Sequence, residues 1–489
     1  MTKSACLSAW LGSIALVVLL VSQASVLAAD APPSYVVVVS KATRNDAGWA
    51  KVVDALQSKH HAAVATYDKA VTEVLPELKQ AFPKHVCFVA TPAEAGRQFV
   101  ADVHRVTRKL DDDPYTDVLW GILTGYDAAN ALRIAQERKP LIIKRVASGT
   151  ELAMDRVVEG VWYCELEQHR MVRKAANAEA QSEKGPADTT AALAKMLTDY
   201  HADLFVTSGH ATERDWQIGF RYKNGTFRSK AGELFGVDTS GQKIPIQSDN
   251  PKVYLPIGNC LMGHIDGPDA MALAFMNSAG VDQMIGYTVP TWYGYAGWGC
   301  LDYFVEQPGR YTFAEAFHAN EHALIERLEE NFPELARLDT APGTIPRGNF
   351  PLSDAAKKAG LTRQDGAGLI HDRDVVALYG DPAWEARLAD GPLSYAQTLT
   401  EKDGLYTLEI KPLVGEKSFE PVNINGAQRG WRPFVQFLPQ RLHKIELVSG
   451  QELSPVITDN FVLVPNPRKC DPNQAYRVVF KAQVISPQP

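Results

Sequence analysis

The sequence predicts an α/β protein with a doubly wound, mainly parallel sheet, followed by an all-β sandwich. The run Val36–Val39 is apolar without interruption, which is typical of a strand covered on both faces. Such runs alternate with helical stretches along the first part of the chain, a rhythm that indicates parallel strands with helices on both faces. After residue 390 the chain holds only short alternating strands separated by turns, which predicts a separate sandwich of roughly one hundred residues.

The predicted elements follow one another in a regular order. The first part gives strands at 34–40, 62–68, 84–91 and 118–125, with helices at 48–60, 71–82, 94–110 and 127–139. Residues 165–200 resemble helix interrupted by an exposed loop, and Asn224-Gly225 predicts the type I′ turn of a hairpin. A strand at 281–288 and a helix at 313–332 complete this part. The predicted domains are 30–150 and 151–390, two α/β subdomains, and 391–489, the sandwich.

The N-terminus predicts export. Residues 11–21 form an apolar core of signal-peptide length, and small residues at 25–29 predict cleavage after Ala28 or Ala29, so that residues 1–29 are a signal peptide. The core is short for a membrane span, and we expect no stable membrane insertion after its removal. The predicted location is secreted, periplasmic or at the cell surface.

Composition narrows the class of partner. The net charge of −7 is spread without long runs of one sign, which argues against nucleic acid. The mature chain keeps five cysteines, an odd number without metal-binding spacing, so at least one thiol is left unpaired within the chain.

Two short apolar runs each lead to a residue whose side chain can take part in catalysis. "LFVTSGHA" (204–211) leads to His210, and "YLPIGNC" (254–260) leads to Cys260. In a doubly wound sheet, catalytic groups gather beyond the carboxyl ends of the strands, so the two side chains meet if the strands are neighbours. An imidazole beside a thiol activates it as a nucleophile. A buried cysteine and a histidine that caps a strand are the alternative, since both are common in cores.

The turn before the cysteine and two backbone amides complete this prediction. Gly258 and Asn259 tolerate unusual backbone angles and bring the backbone close to a substrate. The amides of Ala211 and Cys260 are candidate donors to an oxyanion.

The two runs resemble the His and Cys motifs of gingipain-type cysteine peptidases, which belong to the same clan as caspases and legumains. Three further segments resemble this family in the expected order: "DPYTDVLWGILTGYDAANALRIAQ" (113–136), "SAGVDQMIGYTVPTW" (278–292) and "LYGDPAW" (378–384). The resemblance covers roughly residues 34–390. It implies a caspase-like, gingipain-like catalytic unit followed by an immunoglobulin-like sandwich.

The resemblance also implies an activity and a set of site residues. Cys260 would be the nucleophile and His210 the general acid/base of an endopeptidase acting on polypeptides. Asp117, with Asp113 as a weaker candidate, would orient the histidine, and Trp292 and Asn259 would line the substrate pocket. No cofactor is required, no catalytic metal is expected, and a structural calcium ion is compatible with the family.

Two alternatives remain open at this stage. Ala211 replaces the glycine that usually follows the histidine, and Gly121-Ile122 replaces a Gly-Arg pair, so the chain could be an inactive secreted binding or assembly protein of the same fold. The segment "HANEH" (318–322) instead fits an inverted zinc motif, with His318 and His322 as ligands, Glu321 as base and Glu401 as third ligand. The residue preferred before the scissile bond is not readable from the sequence.

Overall fold

The computed structural model describes residues 34–345 and 350–485; the predicted signal peptide lies outside this part of the chain. The strands are β1 (Tyr35–Ser40), β2 (Ala63–Tyr67), β3 (His85–Val89), β4 (Leu119–Leu123), β5 (Leu141–Ile143), β6 (Arg145–Ser148), β7 (Glu159–Tyr163), β8 (Arg170–Lys174), β9 (Gln181–Lys184), β10 (Leu204–Thr207), β11 (Asp215–Gln217), β12 (Thr226–Lys230), β13 (Glu233–Val237), β14 (Lys243–Ile246), β15 (Lys252–Pro256), β16 (Val281–Tyr287), β17 (Val376–Tyr379), β18 (Ala386–Leu388), β19 (Tyr395–Lys402), β20 (Leu405–Pro412), β21 (Phe434–Phe437), β22 (Leu442–Ser449), β23 (Val456–Ile457), β24 (Phe461–Val464) and β25 (Tyr476–Val484).

The helices lie between these strands. They are α1 (Lys41–Asn45), α2 (Ala47–His60), α3 (Leu75–Ala81), α4 (Arg97–Thr107), α5 (Ala128–Gln136), α6 (Thr190–Thr198), α7 (Met271–Ser278), α8 (Tyr295–Phe304), α9 (Phe313–Asn331), α10 (Pro333–Ala336), α11 (Asp354–Lys358) and α12 (Arg363–Asp372). Within the described residues, no helix is both long enough and apolar enough to cross a bilayer.

A twelve-stranded sheet organises the first part of the chain, in the order β2-β1-β3-β4-β17-β16-β15-β10-β6-β7-β8-β9. Strands β2, β1, β3, β4 and β17 run parallel to one another, and so do β16, β15, β10, β6 and β7. The two groups meet in an antiparallel pair, β16 with β17. The prediction of a mainly parallel α/β sheet is therefore confirmed.

The central strands are buried along their whole length. Every residue of β1, β4, β10, β15, β16 and β17 is buried. An uninterrupted buried pattern means that both faces of the sheet are covered, as the Val36–Val39 run predicts. The polar residues that follow β10 and β15 therefore lie at the carboxyl ends of strands that are covered on both faces.

Two local predictions are wrong. Residues 165–200 contain β8 and β9, an antiparallel pair at the sheet edge, before the helix α6 begins. Asn224-Gly225 is not a hairpin turn, because the Asn224 side chain bonds the backbone and hydroxyl of Thr189. The turn instead joins β12 to β13 at Ala231 and Gly232, with φ of 47° and 75°.

Residues 395–484 form the predicted all-β unit. Its sheets have the orders β19-β20-β25-β22 and β21-β24-β23, and all their pairings are antiparallel. The unit has its own apolar core around Leu408, Val462 and Phe480. Phe461 and Leu463 belong instead to the core of the α/β part, so the two parts share packed surface.

Candidate active site

The structure brings His210 and Cys260 to the carboxyl ends of two neighbouring strands of the large sheet. Strands β10 and β15 are parallel neighbours, with Thr207 opposite Pro256, and the amide of Ile257 donates to the carbonyl of Thr207 at 2.9 Å. His210 and Cys260 follow these strand ends by three and four residues. Neighbouring strands are about 4.8 Å apart, so the two loops lie side by side.

Asn259 connects the two loops. Its side chain accepts a hydrogen bond from the Thr207 hydroxyl at 2.7 Å and donates to the carbonyl of Gly209 at 3.1 Å. The residue is fully buried. The structure therefore places Asn259 between the loops as a brace, not in the substrate pocket that the sequence analysis assigned to it.

Left-handed backbone occurs directly before His210 and directly after Cys260. Gly209, directly before His210, has φ of 94°, and Leu261, directly after Cys260, has φ of 58°. Gly258 and Asn259 do not have positive φ, contrary to prediction. The site of Gly258 is tight, since a Cβ there would lie 3.1 Å from Nε1 of Trp298. A non-glycine residue held in the left-handed region stores strain, and such residues concentrate at functional sites.

The side chains of Cys260 and His210 lie on adjacent loops and do not bond each other. The half-buried Cys260 donates from Sγ to the carbonyl of Thr291 at 3.6 Å. His210 is exposed, and its ring packs against Phe220 with the ring centroids 4.7 Å apart. Among the described residues no hydrogen bond joins Sγ to the imidazole. Such contacts are often long in a substrate-free enzyme and tighten when substrate binds.

Two backbone amides on the loops that carry His210 and Cys260 have no acceptor within the described residues. Neither the amide of Ala211 nor that of Cys260 donates to an acceptor within the described part of the chain. Buried or half-buried amides are nearly always paired, so two free amides on adjacent loops are available to a ligand oxygen. The oxyanion role of both residues stays a prediction.

Trp292 lies at the rim beside the cysteine. It follows Thr291, whose carbonyl accepts from Cys260, and 38% of its surface is exposed. Its position in a substrate-pocket wall stays a prediction, and the exposed indole beside Cys260 is compatible with it.

Asp117 is not brought to His210. It precedes β4, and three strands separate β4 from β10, which corresponds to roughly 19 Å. Its carboxylate accepts from the amide of Leu110 at 2.9 Å. Burial, with the nearby carboxyls of Asp111 and Asp113, raises the pKa of Asp117 to about 8. The proposed orienting contact therefore has no counterpart in this structure, for Asp117 or for the adjacent Asp113.

Glu165 is a site residue that the sequence analysis missed. It follows the end of β7, is buried, and accepts hydrogen bonds from the hydroxyls of Thr150 at 2.6 Å and Ser208 at 3.2 Å. Its backbone carbonyl accepts from the amide of Phe220, the residue that packs on His210. Burial raises the pKa of Glu165, and these hydrogen bonds act in the opposite direction. A polar residue directly after an apolar strand was the available signal.

The zinc motif forms no site. His318 accepts from the backbone amide of Trp120 at 2.9 Å, and His322 stacks on Phe461 with ring centroids 4.0 Å apart. Burial lowers the pKa of both imidazoles. Glu401 lies exposed on β19, where it accepts from the amide of Gly404. No metal-ligand group of three among the described residues includes either histidine.

One acidic cluster bears on the calcium expectation. The carboxyls of Asp111, Asp113 and Asp459 come within 4.8 Å of one another. Arg441 pairs with Asp459, so part of their charge is already balanced. Calcium takes six to eight oxygen ligands, and the cluster alone does not supply them. The calcium ion stays an expectation.

The five described cysteines are all free. Cys87, Cys164 and Cys300 are buried, while Cys260 and Cys470 are half-buried. Cys260 differs from the three buried cysteines in being half-buried, and its loop is joined to the loop of His210 through Asn259.

Comparison with known proteins gives two similar solved structures. One is the crystal structure of the Arg-specific cysteine proteinase gingipain R (RgpB), at 11% identity and a TM-score of 0.42, covering 93% of this chain and 92% of that chain. The other is the complex of the Porphyromonas gingivalis RgpB pro- and mature domains, at 11% identity and 0.41, covering 92% and 94%. No family model matches the chain. No curated protein matches it either. At this identity and TM-score, the functional conclusion has to come from the geometry of the chain itself.

Proposed function

We propose that this chain is an exported cysteine-type endopeptidase with Cys260 as nucleophile and His210 as general acid/base. The observation that supports it most is the placement of a half-buried thiol and an exposed imidazole on adjacent loops at one sheet edge, braced by Asn259. Two free backbone amides at the same place add a way to stabilise an oxyanion. Export rests on the N-terminal sequence.

The proposed reaction is amide hydrolysis through an acyl-enzyme. His210 takes the proton of the Cys260 thiol, and the thiolate attacks the substrate carbonyl carbon, forming a C–S bond. The carbonyl oxygen becomes an oxyanion that the amides of Ala211 and Cys260 bind. His210 then gives its proton to the leaving amine as the C–N bond breaks. A water molecule, deprotonated by His210, finally hydrolyses the thioester and restores the thiol.

The proposed mechanism requires two side chains to rotate. Sγ has to leave the Thr291 carbonyl, and the imidazole has to turn from the solvent side toward the thiol. Both are single-bond rotations of side chains that are not fully buried, so substrate binding can drive them.

A set of cysteine and histidine variants tests the proposal. The full chain without its signal peptide is incubated with a peptide library, and the products are identified by mass spectrometry. We expect cleavage by the unaltered chain and by Cys470→Ala, a matched half-buried cysteine in the β unit. Cys260→Ala and His210→Ala should each lose at least a hundredfold in rate.

Two results would count against it. Cleavage that survives Cys260→Ala would assign the activity to other groups. An unaltered, folded chain that cleaves no peptide in the library would favour the inactive binding protein of the same fold.

A further inference from the structure

One loop of the C-terminal β unit lies against the proposed active site from both sides. This loop, residues 423–430, reaches the cysteine side through Gly426, where a Cβ would lie 2.5 Å from the ring of Trp298. Trp298 in turn lies against Gly258, two residues before Cys260. The loop therefore contacts the residue that supports the nucleophile turn.

The same loop reaches the histidine side through Asn425. The Asn425 amide lies beside the carboxyl of Glu165, which bonds Ser208, two residues before His210. Nδ2 of Asn425 and Oε2 of Glu165 are both buried, and neither has a partner with hydrogen-bond geometry among the described residues. The loop and the catalytic edge thus meet through polar groups that are not yet satisfied.

Buried charges fix the loop in this position. The Arg429 guanidinium pairs with Asp302 at 2.6 Å and with Glu306, and it donates to the loop carbonyl of Asn425 at 2.6 Å. The amide of Gly430 donates to Asp302 at 2.9 Å. Both carboxylates follow or lie on α8, so the α/β part holds the loop of the β unit. A loop held this way presents its tip at a defined place.

That tip carries an apolar side chain in open solvent. Ile424 is 79% exposed, more than any other large apolar side chain of the described residues. Phe220, which packs on His210, and Trp292, beside the Cys260 contact, are exposed by 42% and 38%. Ile424 directly precedes Asn425, the loop residue beside Glu165, so the most exposed of these three side chains belongs to the loop that reaches the site. Large exposed apolar side chains on segments that reach one site offer apolar surface to a ligand.

We propose that loop 423–430 forms one wall of the substrate cleft and that Ile424 is a specificity residue that contacts a bulky apolar side chain of the peptide substrate. This inference rests on the proposed peptidase function. The β unit then contributes directly to substrate binding, and Phe220 and Trp292 provide the facing apolar surface. Removal of the Ile424 side chain weakens binding of such peptides and leaves the chemistry at Cys260 unchanged.

The test compares Ile424→Asp with Val414→Asp, a control in the same unit whose side chain is 50% exposed and lies outside the loop. Steady-state cleavage is measured on peptides that differ only in one residue near the scissile bond, Leu or Ser. For the Leu peptides we expect Ile424→Asp to raise KM about tenfold with kcat unchanged. The Ser peptides and the alkylation rate of Cys260 by iodoacetamide should not change, and Val414→Asp should match the unaltered chain.

A binding measurement separates the two proposals. Fluorescent Leu and Ser peptides are titrated into Cys260→Ala with and without Ile424→Asp, and anisotropy gives the Kd. A tenfold weaker Kd for the Leu peptide alone supports the inference. Equal effects of Ile424→Asp and Val414→Asp, in cleavage and in binding, overturn it while the peptidase function stands. A chain that neither cleaves nor binds any peptide overturns both.

Discussion

At the scale of single residues, the loops that carry His210 and Cys260 are held by their neighbours and not by a bond between the two side chains. Gly209 and Leu261 hold left-handed conformations next to His210 and Cys260. Asn259 uses both ends of its amide to fix the spacing of the two loops. The Cys–His pair depends on these neighbours because neither side chain bonds the other in the substrate-free structure.

Gly209→Ala tests the backbone requirement. A Cβ at this position meets nothing closer than 3.8 Å, so the cost arises from φ alone. An L-residue in the left-handed region costs about 1–2 kcal/mol. We expect that loss in the free energy of unfolding, measured in urea, and at least a tenfold fall in kcat because His210 is displaced.

Gly241→Ala is the matched control. Gly241 has φ of 89° and no neighbour within 4 Å, and it lies in the loop between β13 and β14, outside the loops that carry His210 and Cys260. It should lose similar stability and keep full activity. Full activity in Gly209→Ala would show that the left-handed residue does not position His210.

Asp117 predicts a pH-dependent stability. In the unfolded chain its carboxyl ionises near its ordinary pKa of about 4, whereas in the fold it stays protonated up to about 8. The folded state therefore binds an extra proton between these values, and stability falls as pH rises through this window. The slope from one group is at most about 1.4 kcal/mol per pH unit.

The check is urea unfolding of Asp117→Asn between pH 4 and 8. Asparagine still accepts from the Leu110 amide, and it removes the titration, so the decline with pH should become shallower and stability at pH 8 should rise. Asp112→Asn, an exposed neighbour, serves as control. Identical pH slopes for Asp117→Asn and the unaltered chain would contradict the assignment.

At the scale of elements, the sheet explains which sequence predictions succeeded. The apolar runs that end in His210 and Cys260 are β10 and β15, and their hydrophobicity alone located the strands. Their order in the sheet could not be read, because β17 comes from residue 376 onward and inserts between β4 and β16. Together with β16 and β15, the inserted strand β17 separates Asp117 from His210. Long-range strand pairing leaves no local signal in the sequence.

Local signals also misled where tertiary contacts prevailed. Asn224-Gly225 has the composition of a type I′ turn, but Asn224 satisfies Thr189, and a Cβ at Gly225 would lie 2.1 Å from the Thr190 hydroxyl. The helical motif at 318–322 has the spacing of metal ligands, but every residue of the α9 segment 316–325 is buried. These two buried histidines bond the backbone of Trp120 and stack on Phe461 instead.

The contact between α8 and loop 423–430 predicts a large effect of Arg429→Met on stability. This change leaves the carboxylates of Asp302 and Glu306 buried without their shared cation, although Arg432 still pairs with Asp302. Breaking a buried pair on one side costs about 3–5 kcal/mol. Urea unfolding measures the loss.

Arg477→Met is the control for this element. Its pair with Glu409 is exposed, with side-chain exposures of 60% and 30%, and exposed pairs contribute about 0–1 kcal/mol. Equal, small losses for the two variants would show that the network at α8 does not stabilise the contact.

At the scale of the whole molecule, the α/β part and the β unit share a core. Phe461 and Leu463 of β24 pack with the α/β residues, and Arg441 donates to the carbonyls of Phe82 and Pro83. The sequence predicted two separate parts from their texture. It could not show the shared core, because the residues that form it are ordinary strand residues with no distinguishing pattern.

The shared core predicts one cooperative unfolding transition. Scanning calorimetry of residues 30–489 should give a single peak, since the interface buries apolar and charged groups that neither part can expose cheaply. Two resolved transitions would mean that the β unit unfolds independently of the α/β part.

The most direct test of the central claim is covalent labelling with a peptidyl acyloxymethyl ketone, a reagent that alkylates an activated thiol only when it is bound as a substrate. Intact mass and peptide mapping should place one label on Cys260 in the unaltered chain. His210→Ala should react at least tenfold more slowly, and Cys470 should stay unlabelled. Labelling of Cys260 at the same rate with and without the imidazole of His210 would contradict the account.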